Sequence, residues 1–179
     1  MKGFIYNENY LTETIMKNKK MNLNSIKEKL KSKSIFLKDE KILGKPSVIG
    51  YEKKFKWSWF ATQLNTFIVV SDFGKENITV DLIEKHLSEA FTFASNNYDG
   101  WPRGLQSGIC VISILISNNI APDAKEYCKM LKSGKKWAAF SIPVTINPYS
   151  NEVSYFEKNP IWGMVYYPHI KKLILEITQ

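Results

Sequence analysis

Two histidines, His86 and His169, are all that this 179-residue sequence offers to a histidine-dependent mechanism. His86 and Glu89 stand three apart, a spacing that puts both on one side of a helix and could hold a metal ion. Such a site needs a third and a fourth ligand, and no residue nearby supplies them; the plainer reading of His86 is a surface side chain beside Lys85. His169 follows Pro168 at a helix start, where it could act as general base toward Cys128 or an acidic residue, or stand as an ordinary helix-end side chain. Asp72, at a strand end, is the nearest approach to a nuclease carboxylate, with Asp99 and Glu152 elsewhere. A metal-dependent nuclease wants two or three acids and a lysine converging at strand ends, and the apolar run Ile109 to Ile116 contains neither.

The loop from Tyr98 to Gly108 concentrates unusual chemistry. It holds three glycines, one proline, two aromatics and Arg103, the sole arginine. Arg103, Gln106 and Ser107 offer donors for an anionic or amide-bearing ligand, while Trp101 or Tyr98 supplies a stacking face. The alternative is a structural loop in which Arg103 pairs with Asp99 and Trp101 plugs the core. Ser107 in Gly104-Leu105-Gln106-Ser107-Gly108 is not a nucleophile elbow, because that turn needs a strand before the serine and a helix after it. The chain has no P-loop, dinucleotide fingerprint, H-E-x-x-H or paired C-x-x-C motif, so no cofactor and no metal site is expected.

Charge narrows the class of partner. The net charge is +8, and residues 1–56 carry all of it, with 14 lysines against 6 acids; the remainder is neutral. Lysine presents a point charge suited to phosphate, without the fork by which arginine reads bases. A sequence-reading nucleic-acid protein is disfavoured, and non-specific contact through Lys17 to Lys33 stays open. No run reaches the roughly 18–20 apolar residues of a spanning helix, and no secretion signal is visible, so membrane insertion is not expected and a cytoplasmic location is. Cys110 and Cys128 read as reduced buried thiols.

The elements that must position these groups follow from periodicity. Residues 1–22 read as a flexible arm, and 23–179 as a single mixed α/β domain in which 23–46 form a basic helical appendage. A capping box at Ser25-Ile26-Lys27-Glu28 opens a helix to Lys33. From Ile49 the apolar positions fall on odd numbers, with Tyr51, Phe55, Trp57, Trp59 and Ala61 on one face and Glu52, Lys54, Lys56 and Ser58 on the other, the alternation of a half-buried strand. Gln63 to Asn65 reads as a turn and Thr66 to Ser71 as the second strand of a hairpin. Thr79 caps a helix to Asn96, Ile109 to Ile116 is a strand covered on both faces, and Pro122 opens a helix ended by Ser133-Gly134. Strand Trp137 to Ile146 follows, with Pro143 implying an edge or a bulge. Glu152 to Glu157 returns from a turn, Ile161 to Tyr167 is another strand, and Pro168 opens the last helix.

The expected fold is therefore α/β, or α+β, with a mixed sheet of about five to six strands flanked by about four helices. The expected function is a non-enzymatic binding or regulatory module whose candidate site is Tyr98, Asp99, Trp101, Arg103, Gln106 and Ser107, supported by Asp72 and His169. Its partner would be a small anionic ligand or a protein. The alternatives are a hydrolase or nuclease whose acids converge in three dimensions, and a nucleic-acid tether through the basic N-terminal segment.

Overall fold

A computed structural model describes residues 21–102, 104, 106–131, 139–159 and 163–179. Among these, helices α1 (Leu23–Ser32), α2 (Val80–Asn96), α3 (Pro122–Met130) and α4 (Tyr167–Thr178) flank a six-stranded mixed sheet. Its strands are β1 (Phe36–Ile42), β2 (Lys45–Lys56), β3 (Thr62–Asp72), β5 (Ser107–Ile116), β7 (Ala139–Asn147) and β8 (Glu152–Ser154), in the order β1-β2-β3-β5-β7-β8. The short strands β4 (Asn77–Ile78) and β6 (Asn119–Ile120) pair separately.

The inner strands β3, β5 and β7 run parallel, and the outer pairs are antiparallel. The crossovers β3-α2-β5 and β5-α3-β7 advance across the sheet in the same direction. Crossovers of one hand then place both helices on one face. Side-chain parity agrees with this. Odd-numbered Phe67, Val69, Ile109 and Val111 pack against Ala90 and Ala94 of α2, and Leu115 packs with Ala124 and Cys128 of α3. Even-numbered Val48, Ile68, Val70, Ile112 and Val144 join Ile26 and Leu30 of α1 and Ile170, Ile174 and Ile177 of α4. Covering both faces is what makes β5 a nearly unbroken run of Ile, Val and Leu.

Several expectations need correction. The N-cap of α1 is Asn22, whose Oδ1 accepts from Ser25 N at 2.9 Å while Ser25 Oγ accepts from Asn22 N at 3.0 Å. The capping box thus starts three residues earlier than Ser25, because asparagine caps as well as serine. Helix α1 docks so closely that a Cβ on Gly50 would lie 2.9 Å from Leu30 Cδ2. The rest of the supposed appendage is not helical, since Phe36–Ile42 forms the edge strand β1.

The turn expected at Gln63 to Asn65 lies earlier: β2 ends at Lys56, a 3-10 turn spans Trp57–Trp59, and Phe60 and Ala61 adopt positive φ of 56° and 54°. Gln63, Leu64 and Asn65 are buried inside β3. Alternating tryptophans imitate a strand, but here the turn itself buries Trp59 and exposes Trp57. Pro143 lies within β7, between β5 and β8 in the strand order; β8 pairs only with residues 145–147, so on that side Pro143 has no β8 residue to bond. The strand expected over Ile161 to Tyr167 is not one where it is described, since 163–166 form a turn and Tyr167 opens α4. Ser133-Gly134 lies outside the described residues; α3 ends at Met130, with Leu131 left-handed.

His86 is also corrected. It is fully buried rather than a surface residue beside Lys85. Its Nε2 lies 2.6 Å from Ser71 Oγ and its Nδ1 2.6 Å from Ser113 Oγ, so the ring ties α2 to β3 and β5. Counting protons assigns the tautomer. Ser47 Oγ donates to Lys45 O at 2.9 Å, so Ser71, 2.6 Å away, must donate to Ser47 and accept from Nε2-H. Nδ1 then accepts from Ser113. Burial pushes the His86 pKa down to about 4.

Candidate functional site

The last turn of pleat in β2 divides two polar regions. Because successive side chains point to opposite faces, Glu52, Lys54 and Lys56 face α4, while Tyr51, Lys53 and Phe55 face the loop that follows α2. Each region collects different partners.

On the α4 side a cleft of about 630 Å³ is lined by Lys33, Lys54, Lys56, Lys172, Glu52 and His169, with Trp59 beneath. His169 Nε2 and Glu52 Oε2 are 2.6 Å apart, and their side chains are only 9% and 19% exposed. Trp59 packs on the imidazole at 5.2 Å between ring centroids, and Lys56 Nζ lies 4.8 Å from the Trp59 ring. Lys33 and Lys172 approach Glu176 at 2.7 and 3.7 Å, and Lys54 approaches Glu52 at 3.4 Å. Burial pushes the Glu52 carboxyl up, but the hydrogen bond and charge of His169, with Lys54, outweigh it and hold the group below its ordinary range.

On the other side the loop is organised by a chain of hydrogen bonds. Tyr51 Oη donates to Asn65 Oδ1 at 2.7 Å; Asn65 Nδ2 donates to Gln63 Oε1 at 3.2 Å and Ser107 Oγ at 3.3 Å. Ser107 Oγ meets Tyr98 Oη at 2.5 Å, and Tyr98 Oη donates to Trp101 O at 2.5 Å. A Cβ on Gly100 would come within 2.5 Å of Tyr98 Oη and 2.8 Å of Asn65 Nδ2, so the loop closes only over glycine. Burial chiefly, with Asp99 and Tyr98 adding, raises the Tyr51 pKa.

The expected site residues therefore have separate fates. Tyr98 and Ser107 belong to the buried network and stabilise the loop. Asp99 is exposed, and its carbonyl accepts from Lys53 Nζ at 2.7 Å. Trp101 does not plug the core; it is 47% exposed with its ring 6.1 Å from Phe55. Gln106 is exposed at φ 58° and its carbonyl accepts from Gln63 N at 2.8 Å. Arg103 lies outside the described residues. Asp72 pairs in register with Ile116, whereas Gln63 pairs with Ser107. Nine residues of strand, about 30 Å, thus part Asp72 from the loop, and Asp72 and Asp99 do not converge. Asp72 Oδ1 accepts from Gly74 N at 2.8 Å. His169 meets an acid, Glu52, but not Cys128, which lies on the opposite face with its thiol pushed by burial up to about 12.

Among the described residues no group of three His, Cys, Asp or Glu side chains converges, and no helix is long and apolar enough to cross a membrane. No family model matches the chain, and no curated protein or solved structure matches it significantly. The functional reading rests on the residues themselves.

Sequence reasoning missed Glu52, Lys54 and Lys56 as a site. Their alternation with Tyr51 and Phe55 was visible, but a charged strand face ordinarily meets water. What turns it into a cleft wall is α4, which begins more than a hundred residues later.

Proposed function

We propose that the protein is a binding module whose ligand is anionic and occupies the cleft between β2 and α4. One observation carries this reading: Lys33, Lys54, Lys56 and Lys172 converge on one cleft in which Glu52 and Glu176 are the only opposing carboxylates among the lining residues. A cleft with one sign in excess and low-dielectric walls concentrates field and draws counter-ions. Lysines suit phosphate or carboxylate without demanding a planar partner, and His169, held by Glu52 at 2.6 Å, stands among them.

Calorimetry with inorganic phosphate, pyrophosphate and citrate tests the reading. Binding that weakens with salt, and by at least about tenfold in the Lys54→Ala/Lys56→Ala variant, is expected. If none of the three anions binds, the proposal is lost. A second reading, hydrolysis, has the His169–Glu52 pair in its favour, since a base held by a carboxylate is what a water nucleophile requires. Turnover of phosphate esters that disappears in His169→Ala would establish it; no turnover over hours at high enzyme concentration would sink it.

A further inference from the structure

Around the end of the β2-β3 hairpin, four large aromatic side chains face solvent while Trp59 is buried. Trp57 is 81% exposed, Phe60 79%, Trp101 47% and Phe55 39%. Phe55 bridges two of them, with ring centroids 5.3 Å from Trp57 and 6.1 Å from Trp101. Exposed large rings in mutual contact mark a contact surface, and Phe60 ends the same 3-10 turn that Trp57 opens. Lysines interleave with these rings: Lys53, Lys54 and Lys56 alternate to the two sides of the strand, and the last two enter the basic cleft.

We infer that this surface binds single-stranded nucleic acid, with bases stacked on Trp57, Phe60, Phe55 and Trp101 and phosphates led into the lysine-lined cleft. The inference rests on the anion-binding reading above and names the ligand for it. Exposed rings beside point charges are the chemistry of sequence-tolerant single-strand binding, because every base offers a π face and every nucleotide a phosphate. A duplex hides its bases and is excluded from the stacking half of the site. An anionic membrane would also attract rings and lysines. However, Phe55 and Lys53 lie on one face of the sheet, and Lys54, Lys56 and the recessed cleft on the other. A flexible strand can pass around the hairpin end to reach both, and a flat bilayer cannot.

The test is fluorescence anisotropy of the full chain with a labelled oligothymidylate of about ten nucleotides, within the usual site size, alongside its duplex and phosphatidylserine vesicles. The single strand should bind, and the duplex should bind at least about tenfold more weakly. Trp57→Ala should weaken single-strand binding about tenfold through lost stacking. That side chain is mostly in solvent, so the variant should keep its fold, checked by circular dichroism. Lys54→Ala/Lys56→Ala should lower the slope of log affinity against log salt by about 1.4, at about 0.7 per phosphate contact on a single strand. Oligonucleotide binding indifferent to Trp57→Ala would overturn the inference, assigning binding to other lysines. So would vesicle binding without oligonucleotide binding. If pyrophosphate binds the cleft but the oligonucleotide neither binds nor competes, the inference falls and the anion reading stands; if neither binds, both fall.

Discussion

The two histidines sit in opposite kinds of polar region. His86 is sealed between β3, β5 and α2 with neutral serines on both nitrogens, while His169 lines a cleft with an anionic carboxylate on one. A neutral, fully satisfied ring in the core specifies how a helix registers on a sheet and offers nothing to solvent. The other ring is bonded to a carboxylate and lines a cleft with lysines around it. Both rings are largely buried, and what distinguishes them is the charge of the partner and the adjoining cleft.

The sharpest way to break this comparison is His86→Ala. It removes the ring, takes from the Ser113 hydroxyl its acceptor and from Ser71, which still bonds Ser47, its donor, at an expected cost of about 3–5 kcal/mol in denaturant-unfolding free energy. Anion affinity measured on the folded fraction should be unchanged, and if affinity falls in parallel, the regions are not independent.

Acid tests the same residue through its proton. Because its folded pKa is depressed, the unfolded chain takes up a proton below pH 6.5 that the folded chain refuses until about pH 4. The contribution is present above 6.5 and lost as pH falls through that window, by about 3 kcal/mol in total. Unfolding curves at successive pH values should show the slope, and His86→Gln should flatten it.

Glu52→Gln should cost less, about 1–2 kcal/mol, since it replaces a charge-assisted hydrogen bond with a neutral one in a half-open setting. Its lowered pKa means that the carboxylate's contribution is present above the ordinary carboxylate range and lost as pH falls below it, so wild type and variant should converge in acid. A gap that persists at pH 2 would show that packing, not charge, holds the pair. The smallest stability effect belongs to Trp57→Ala, within about 0.5 kcal/mol as for other exposed positions. A larger loss of melting stability would mean that the aromatic tip belongs to the fold.

Local pattern made most of the elements legible. Thr79 caps α2 through a bond to Leu82 N at 3.3 Å, Pro122 opens α3, and the β-branched run of β5 is buried on both faces. These depend on residues three or four apart, or on strict alternation, and the backbone reads them directly. The same logic misplaced the β2-β3 turn, because Trp57 and Trp59 keep a strand's period while the chain has already left the sheet.

The loop from Tyr98 to Gly108 was visible as unusual, but its composition could not say whether the donors point inward. Tyr98 and Ser107 do, and Trp101 does not. By itself, then, the sequence determined a mixed α/β chain with a basic N-terminal third, through periodicity and caps acting over one or two turns. Tertiary structure alone decided which polar residues would meet. His169 reaches Glu52 across 117 positions, and Lys33 reaches Glu176 across 143. Such pairings follow from how whole layers pack, after loop closure has been offset by burial elsewhere, and no short pattern encodes them.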